Sequence, residues 1–267
     1  MKKLFFIPFM SFATLVCFSQ QKEGKVVYDR ITKMQIDING NDQIAHNFPT
    51  TRTDKFELLF AYNKTLWHIS DEQTPEDDNG GGGGGVQIRM IGGGVDDISY
   101  YDLDKNTSVE QRDFMEKKFV VNDSIRKLKW KLTGESKTIL NHVCQQAIGE
   151  RIGIRTMMNM DNGKMDRKEV ADTSIIIAWF SADIPIATGP AEFQSQLPGL
   201  ILEMDINNGR QIYRATEISS KADYTSIKEP KSGKKVTKEE FKQETQKMME
   251  QMQKNEGGGG RVIRINN

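Results

Sequence analysis

Eleven short segments rich in β-branched and aromatic residues follow one another along this chain, each closed by turn residues rather than by a helix. They span 25–36, 56–60, 66–69, 98–103, 107–113, 118–122, 126–132, 143–151, 174–180, 199–206 and 211–218. Strands that alternate with helices pair in parallel, whereas strands joined by tight turns pair with their neighbours, so the pattern predicts an antiparallel meander. Asn63-Lys64, Asp104-Lys105-Asn106 and Asn208-Gly209 read as hairpin turns. The last is the strongest, because Asn-Gly accepts the positive φ that tight hairpins need. The expected fold class is mainly β, an antiparallel curved sheet or partly open barrel.

One long helix is expected after it. Thr237-Lys238-Glu239-Glu240 is a capping box, in which the threonine oxygen and the glutamate carboxylate satisfy amide donors at the helix start. Phe241, Met248, Met249 and Met252 then share one face, with Lys and Glu on the rest. The organisation read from the sequence is a single antiparallel β domain over 21–235, a C-terminal amphipathic helix over 236–254 covering an edge or face of the sheet, and a flexible tail over 255–267. Thirteen of the 23 glycines sit in three runs, 80–85, 92–94 and 257–260. Such runs lose too much backbone entropy to hold a packed conformation, so 71–97 is expected to be a flexible Gly-rich insertion.

The first twenty residues read as a secretory signal peptide, with Lys2 and Lys3 before the apolar run and Gln20 near the cut. Cys17 raises the alternative of lipid attachment, against which Val16 stands where such a signal takes a small residue. Removing residues 1–20 takes two lysines and no acid, leaving 35 basic and 37 acidic side chains and a formal net charge of −2. That balance does not steer the chain toward nucleic acid or an anionic surface. There is no second apolar run of membrane-spanning length, so no transmembrane segment is expected. Only Cys144 remains in the mature chain, so stability must come from an ordinary core without an internal disulfide.

The stretch 193–209 breaks its own pattern, since Pro198-Gly199 interrupts an apolar run. Proline fixes φ and removes a donor while glycine accepts whatever φ follows, so the pair makes a bend that leads into a strand. Leu200, Leu202, Met204 and Ile206 then alternate with Ile201, Glu203 and Asp205. Trp179-Phe180-Ser181-Ala182-Asp183-Ile184-Pro185, Gly189-Pro190, Phe193 and Leu197-Pro198-Gly199-Leu200-Ile201 together resemble the signature of the GLPGLI family, exported proteins of Bacteroidetes. Gln196 replaces the first glycine of the hexapeptide that gives the family its name. The resemblance covers about 128–218 well. It implies an exported β-rich protein of unknown function, with no established catalytic residues. Trp179, Pro185, Pro198, Gly199 and Glu203, within or beside that signature, are the candidate ligand or partner surface.

Other groups are weighed by their chemistry. His142 and Cys144 at i and i+2 of a strand share a face, as two metal ligands would, but two ligands do not complete a site. A buried structural thiol is the plainer reading of Cys144. Met157, Met158, Met160 and Met165 form a loop cluster of thioethers, the ligand type that selects Cu(I), so a periplasmic copper-binding protein is the alternative function. Glu203 and Asp205 lie two apart on a strand face, which is ordinary for surface carboxylates and weak as a glycosidase pair. No serine-hydrolase elbow, phosphate loop or dinucleotide fingerprint is present. The sequence therefore points to a periplasmic or outer-membrane-associated module that binds an apolar ligand, a peptide or an outer-membrane transport protein, with no cofactor expected. A curved sheet offers its concave face to such a ligand.

Overall fold

Alternating burial along the strands, apolar residues inward and polar residues outward, decides where each one packs. The computed structural model describes residues 23–33, 51–71, 97–161 and 164–255. The signal peptide, Cys17, nearly all of the Gly-rich insertion and the tail lie outside the described residues. The first half of the meander comprises β1 (Glu23–Lys33), β2 (Thr51–Ala61), β3 (Lys64–Ile69), β4 (Ile98–Asp102), β5 (Thr107–Phe114) and β6 (Lys117–Ser124). The second comprises β7 (Lys129–Ile139), β8 (His142–Asp161), β9 (Lys164–Ser181), β10 (Leu200–Ile206) and β11 (Gln211–Ser219). A short strand, β12 (Lys234–Thr237), leads directly into helix α1 (Lys238–Asn255).

All twelve strands belong to one sheet, in the order β12-β6-β5-β4-β3-β2-β1-β11-β10-β9-β8-β7. The two halves of the meander meet where β1 pairs antiparallel with β11, and β7 and β12 remain as edges, so the sheet does not close into a barrel. β12 was not expected. It pairs in parallel with β6 over four residues, Lys234 to Thr237, and is too short to show a periodicity of its own. The capping box follows as read. The Thr237 amide donates to Glu240 Oε2 at 2.7 Å, and the Glu240 amide to Thr237 Oγ1 at 3.2 Å. Phe241 and Met248 of α1 pack half-buried against Phe119, Val121 and Val236, with Phe119 and Phe241 ring centroids 5.2 Å apart.

The main core lies on one face of the central strands. Val26 and Tyr28 of β1, Leu58 and Phe60 of β2, Trp67 of β3, Phe180 of β9 and Met204 of β10 all bury there. What covers them is the chain's own β9–β10 connection, residues 182–199, whose Ile184, Ile186, Phe193 and Leu197 are each 5% exposed or less. The main core is thus covered by the chain itself. On the opposite face Leu59, Leu66, Tyr100, Val109 and Val120 pack under Ala222 and Ile227, beside a 3-10 turn at Tyr224–Ser226.

The Pro198-Gly199 bend has a steric cause. A Cβ on Gly199 would sit 2.2 Å from the Ser181 carbonyl oxygen, so only glycine lets β10 start against the end of β9. Two residues after Gly199, Ile201, beside a register shift in β10, offers its carbonyl to the buried Tyr28 hydroxyl, which donates at 2.6 Å. Burial pushes the Tyr28 phenol far up, so it remains a donor throughout the ordinary pH range.

β8 and β9 run much further than 143–151 and 174–180. Their pairing continues without a break to Asp161 opposite Lys164. The added β9 length, 164–173, is mostly polar, and although the β8 length has Ile152, Ile154, Met158 and Met160 at even positions, its methionines read as a loop cluster. We predict that Gly199→Ala destabilises the fold by about 1–3 kcal/mol or more, since a backbone atom must move. Pro198→Ala, at an exposed position, should cost about 1 kcal/mol or less. Urea unfolding monitored by circular dichroism measures both.

Candidate functional site

Leu140 and Asn141 join β7 to β8 with positive φ at both residues, 48° and 65°, the geometry of a tight hairpin turn. β7 and β10 are separated in the sheet by two strands, about 14 Å of lateral distance at ordinary strand spacing. Yet Lys137 Nζ of β7 lies 2.7 Å from Glu203 Oε1 of β10. The hairpin tip must therefore fold over the sheet. Gly134, at φ 85°, and the register shift between Leu132 and Ser136 supply the bend.

Under the folded tip the side chains form a layered contact. Lys137 Nζ stands 4.3 Å from the centroid of the Trp179 ring. Trp179 and Glu203 are opposite one another in the β9–β10 register. Arg214 Nε of β11 approaches Glu203 Oε2 at 3.6 Å from the other side. Glu203 is not the freely exposed carboxylate expected of that strand face, because it is held between two cations. Such half-exposed pairs contribute little stability each, and their use here is to fix the position of the tip over the Trp179 ring.

Beside this network lies an open cleft of about 460 Å³, lined by Leu140, Asn141 and His142 of the hairpin and by Thr216, Glu217, Ile218 and Ser220 at the end of β11. His142 Nδ1 is 3.9 Å from Asp183 Oδ2. Cys144 does not share the cleft with it. The thiol is buried and donates to the His142 backbone carbonyl at 3.6 Å. Burial is the main cause that pushes the thiol from its ordinary 9.0 up to about 11. Cys144 is therefore a poor nucleophile at neutral pH. Among the described residues, no group of three or more His, Cys, Asp and Glu side chains is placed to hold a metal ion.

The remaining candidates are scattered. Pro185 and Pro198 are exposed and Gly199 is buried, all in or at the end of the connection 182–199. Met157, Met158 and Met160 lie on β8 and Met165 on β9, so they belong to a strand pair and not to a loop. Met248 and Met249 are half-buried, so truncating either should cost less than a full core methionine.

Two residues that sequence reasoning passed over hold the site's foundation. Gln194 is fully buried. Its Oε1 accepts from Thr65 Oγ1 at 3.2 Å and from the Thr188 hydroxyl, while its Nε2 donates to the carbonyls of Gly189 and of Ala191, the latter at 2.9 Å. Gln196 accepts from the Leu128 amide at 3.0 Å and Trp130 Nε1 at 3.2 Å, and donates to the Arg126 carbonyl at 2.8 Å. The one signal for it in the sequence is its departure from the hexapeptide.

Residues 130–203 match a family described as "Protein of unknown function (Porph_ging)". The match runs from the start of the β7–β8 hairpin to Glu203 and so contains Lys137, Cys144, Trp179 and the whole connection 182–199. No curated protein matches this sequence. Among solved structures the chain is similar to one described as "Structure of PNGF-II in C2 space group", with a TM-score of 0.50 and 14% identity, over 84% of this chain and 33% of that one. A second, "Structure of PNGF-II in P21 space group", has a TM-score of 0.49 and 15% identity over 85% and 33%. The chain spans about a third of the length of those structures, and at such identity the likeness is one of fold.

Cys144 generates the prediction of this site. With its folded value above the unfolded one, its contribution to stability is complete below about 9 and is lost as pH rises through about 11. A thiol reagent at neutral pH should label the native protein slowly and the denatured protein at once. Rapid native labelling would show that the thiol reaches solvent.

Proposed function

We propose that the protein is an exported envelope component of the GLPGLI type that works by binding, and that the cleft beneath the β7–β8 hairpin receives an extended apolar or peptide segment of an outer-membrane partner. The signal-peptide character of residues 1–20 supports the compartment. The observation that carries the binding reading is an open cleft beside the hairpin, at the margin of a main core that residues 182–199 already cover. The cleft there has an apolar flank, Leu140 and Ile218, and hydrogen-bonding groups on Thr216, Ser220 and His142, the mixture that ligand sites use for affinity and orientation.

A second reading keeps copper. The register sets Met160 directly opposite Met165, with Met158 two residues along β8. Thioethers favour Cu(I). It is the weaker reading, because it rests on three residues and on chemistry alone.

Native mass spectrometry of the chain purified from its own envelope separates them. The binding reading predicts a co-purifying apolar or peptide mass that Leu140→Asp releases without changing the melting temperature by more than a few degrees. Retention of that mass by Leu140→Asp, or its chemical conversion by the protein, contradicts the reading. Stoichiometric Cu(I), held against a chelator and lost when Met160 and Met165 are replaced together, would establish the second.

A further inference from the structure

β9 has two halves with different neighbours. From Ile176 to Ser181 it lies between β8 and β10. β10 ends at Ile206, opposite Ile176, and β9 continues back to Lys164 paired with β8. β7 also ends, at Lys129 opposite Glu150. Residues 151–161 and 164–175 therefore make a two-stranded ribbon that projects past both of its neighbours, in unbroken register from Arg151 opposite Ser174 to Asp161 opposite Lys164.

The direction of the backbone groups along that ribbon can be read from its last bonds. The Asn207 amide donates to the Ile175 carbonyl at 2.9 Å, and the Ile175 amide donates to Asn207 Oδ1 at 3.0 Å. Asn207 thus takes the first place of a strand that goes no further. Backbone groups alternate sides along a strand, so Thr173, Ala171, Glu169 and Arg167 turn their amides and carbonyls the same way as Ile175. Among the described residues no strand pairs with them on that side. An open edge of this kind is a template for another strand, and a ribbon of two strands is marginal alone.

The charge pattern of the edge selects the occupant. When a second copy of 164–172 runs antiparallel to the first about a two-fold axis at Lys168, Arg167 stands opposite Glu169 twice and Lys164 opposite Asp172 twice. Only Lys168 meets its own kind, with Asp166 of the other copy on the diagonal. Arg167 and Glu169 are both outward-bonding positions, as residues of a hydrogen-bonded antiparallel pair must be. Moving the axis by one residue, to Glu169, sets that acid against itself and leaves Lys168 opposite Val170. Opposite charges facing across strands stabilise pairing and like charges weaken it. We propose that the protein self-associates through the outer edge of β9, forming a two-fold dimer whose ribbons join into four antiparallel strands.

Light scattering coupled to size exclusion, applied to the mature chain, tests this. The native chain should run at twice its monomer mass. Glu169→Arg turns two attractive oppositions into two repulsive ones and should raise the dimer's dissociation constant by about tenfold. The swap Arg167→Glu with Glu169→Arg recreates both pairs and should restore the dimer. Ala171→Pro removes an outward amide but none that serves β8, and should give a monomer with an unchanged far-ultraviolet circular dichroism spectrum. A monomeric native chain, a dimer indifferent to Glu169→Arg and Ala171→Pro, or a swap that fails to restore association would overturn the proposal.

Discussion

The buried amide of Gln194 is the interaction on which the rest of this structure depends. A primary amide has two donors and two acceptor lone pairs, and burying it is costly unless they are met. Here all four are used. One acceptor bond comes from Thr65 on β3, while the others close the connection 182–199 on itself through Thr188, Gly189 and Ala191. β3 stands four strands from β10 in the sheet, so one side chain fastens the connection across the width of the core. Phe193 and Leu197 flank it in sequence and supply the apolar burial, worth about 1.5–3 kcal/mol each relative to exposure.

Once that connection is in place, the outer features follow. It ends at Gly199, and the absence of a Cβ there lets β10 begin against Ser181. Gln196, two residues after Gln194, bonds the segment before β7 and the Trp130 indole, which sets where the β7–β8 hairpin starts. From that origin the hairpin folds back until Lys137 meets Glu203 and Trp179. The connection that covers the main core thus also positions the hairpin beside the cleft.

Much of the meander was legible because its strands are half-buried. Alternation at Leu200, Leu202, Met204 and Ile206 and the Asn208-Gly209 turn are period-two signals with a physical cause, and the capping box at Thr237 is a local motif that needs no tertiary help. The far halves of β8 and β9 were not legible, since charged residues crowd 164–169 and the methionines read as a loop cluster. β12 was hidden by its length. Trp179 and Glu203 were singled out in the sequence but their contact partner Lys137 was not, because a contact across three strand spacings depends on how the hairpin bends. Glutamines are usually exposed, so nothing in the sequence singled out Gln194 as a buried side chain. Only the fold shows that it and Gln196 replace backbone partners in a segment without regular structure.

Hydrogen exchange on Gln194→Leu, compared with the native chain, tests the central claim most directly. Leucine keeps most of the volume and abolishes all four bonds, leaving two hydroxyls and two carbonyls without this partner, at a cost on the order of 3 kcal/mol or more. The account predicts that amides bonded within or to the connection, those of Ile186, Thr188 and Ile201, lose protection together, while those pairing β4 with β5 keep theirs. Unchanged protection at Ile186, Thr188 and Ile201 would contradict it, and would mean that the apolar side chains alone hold the connection on the sheet.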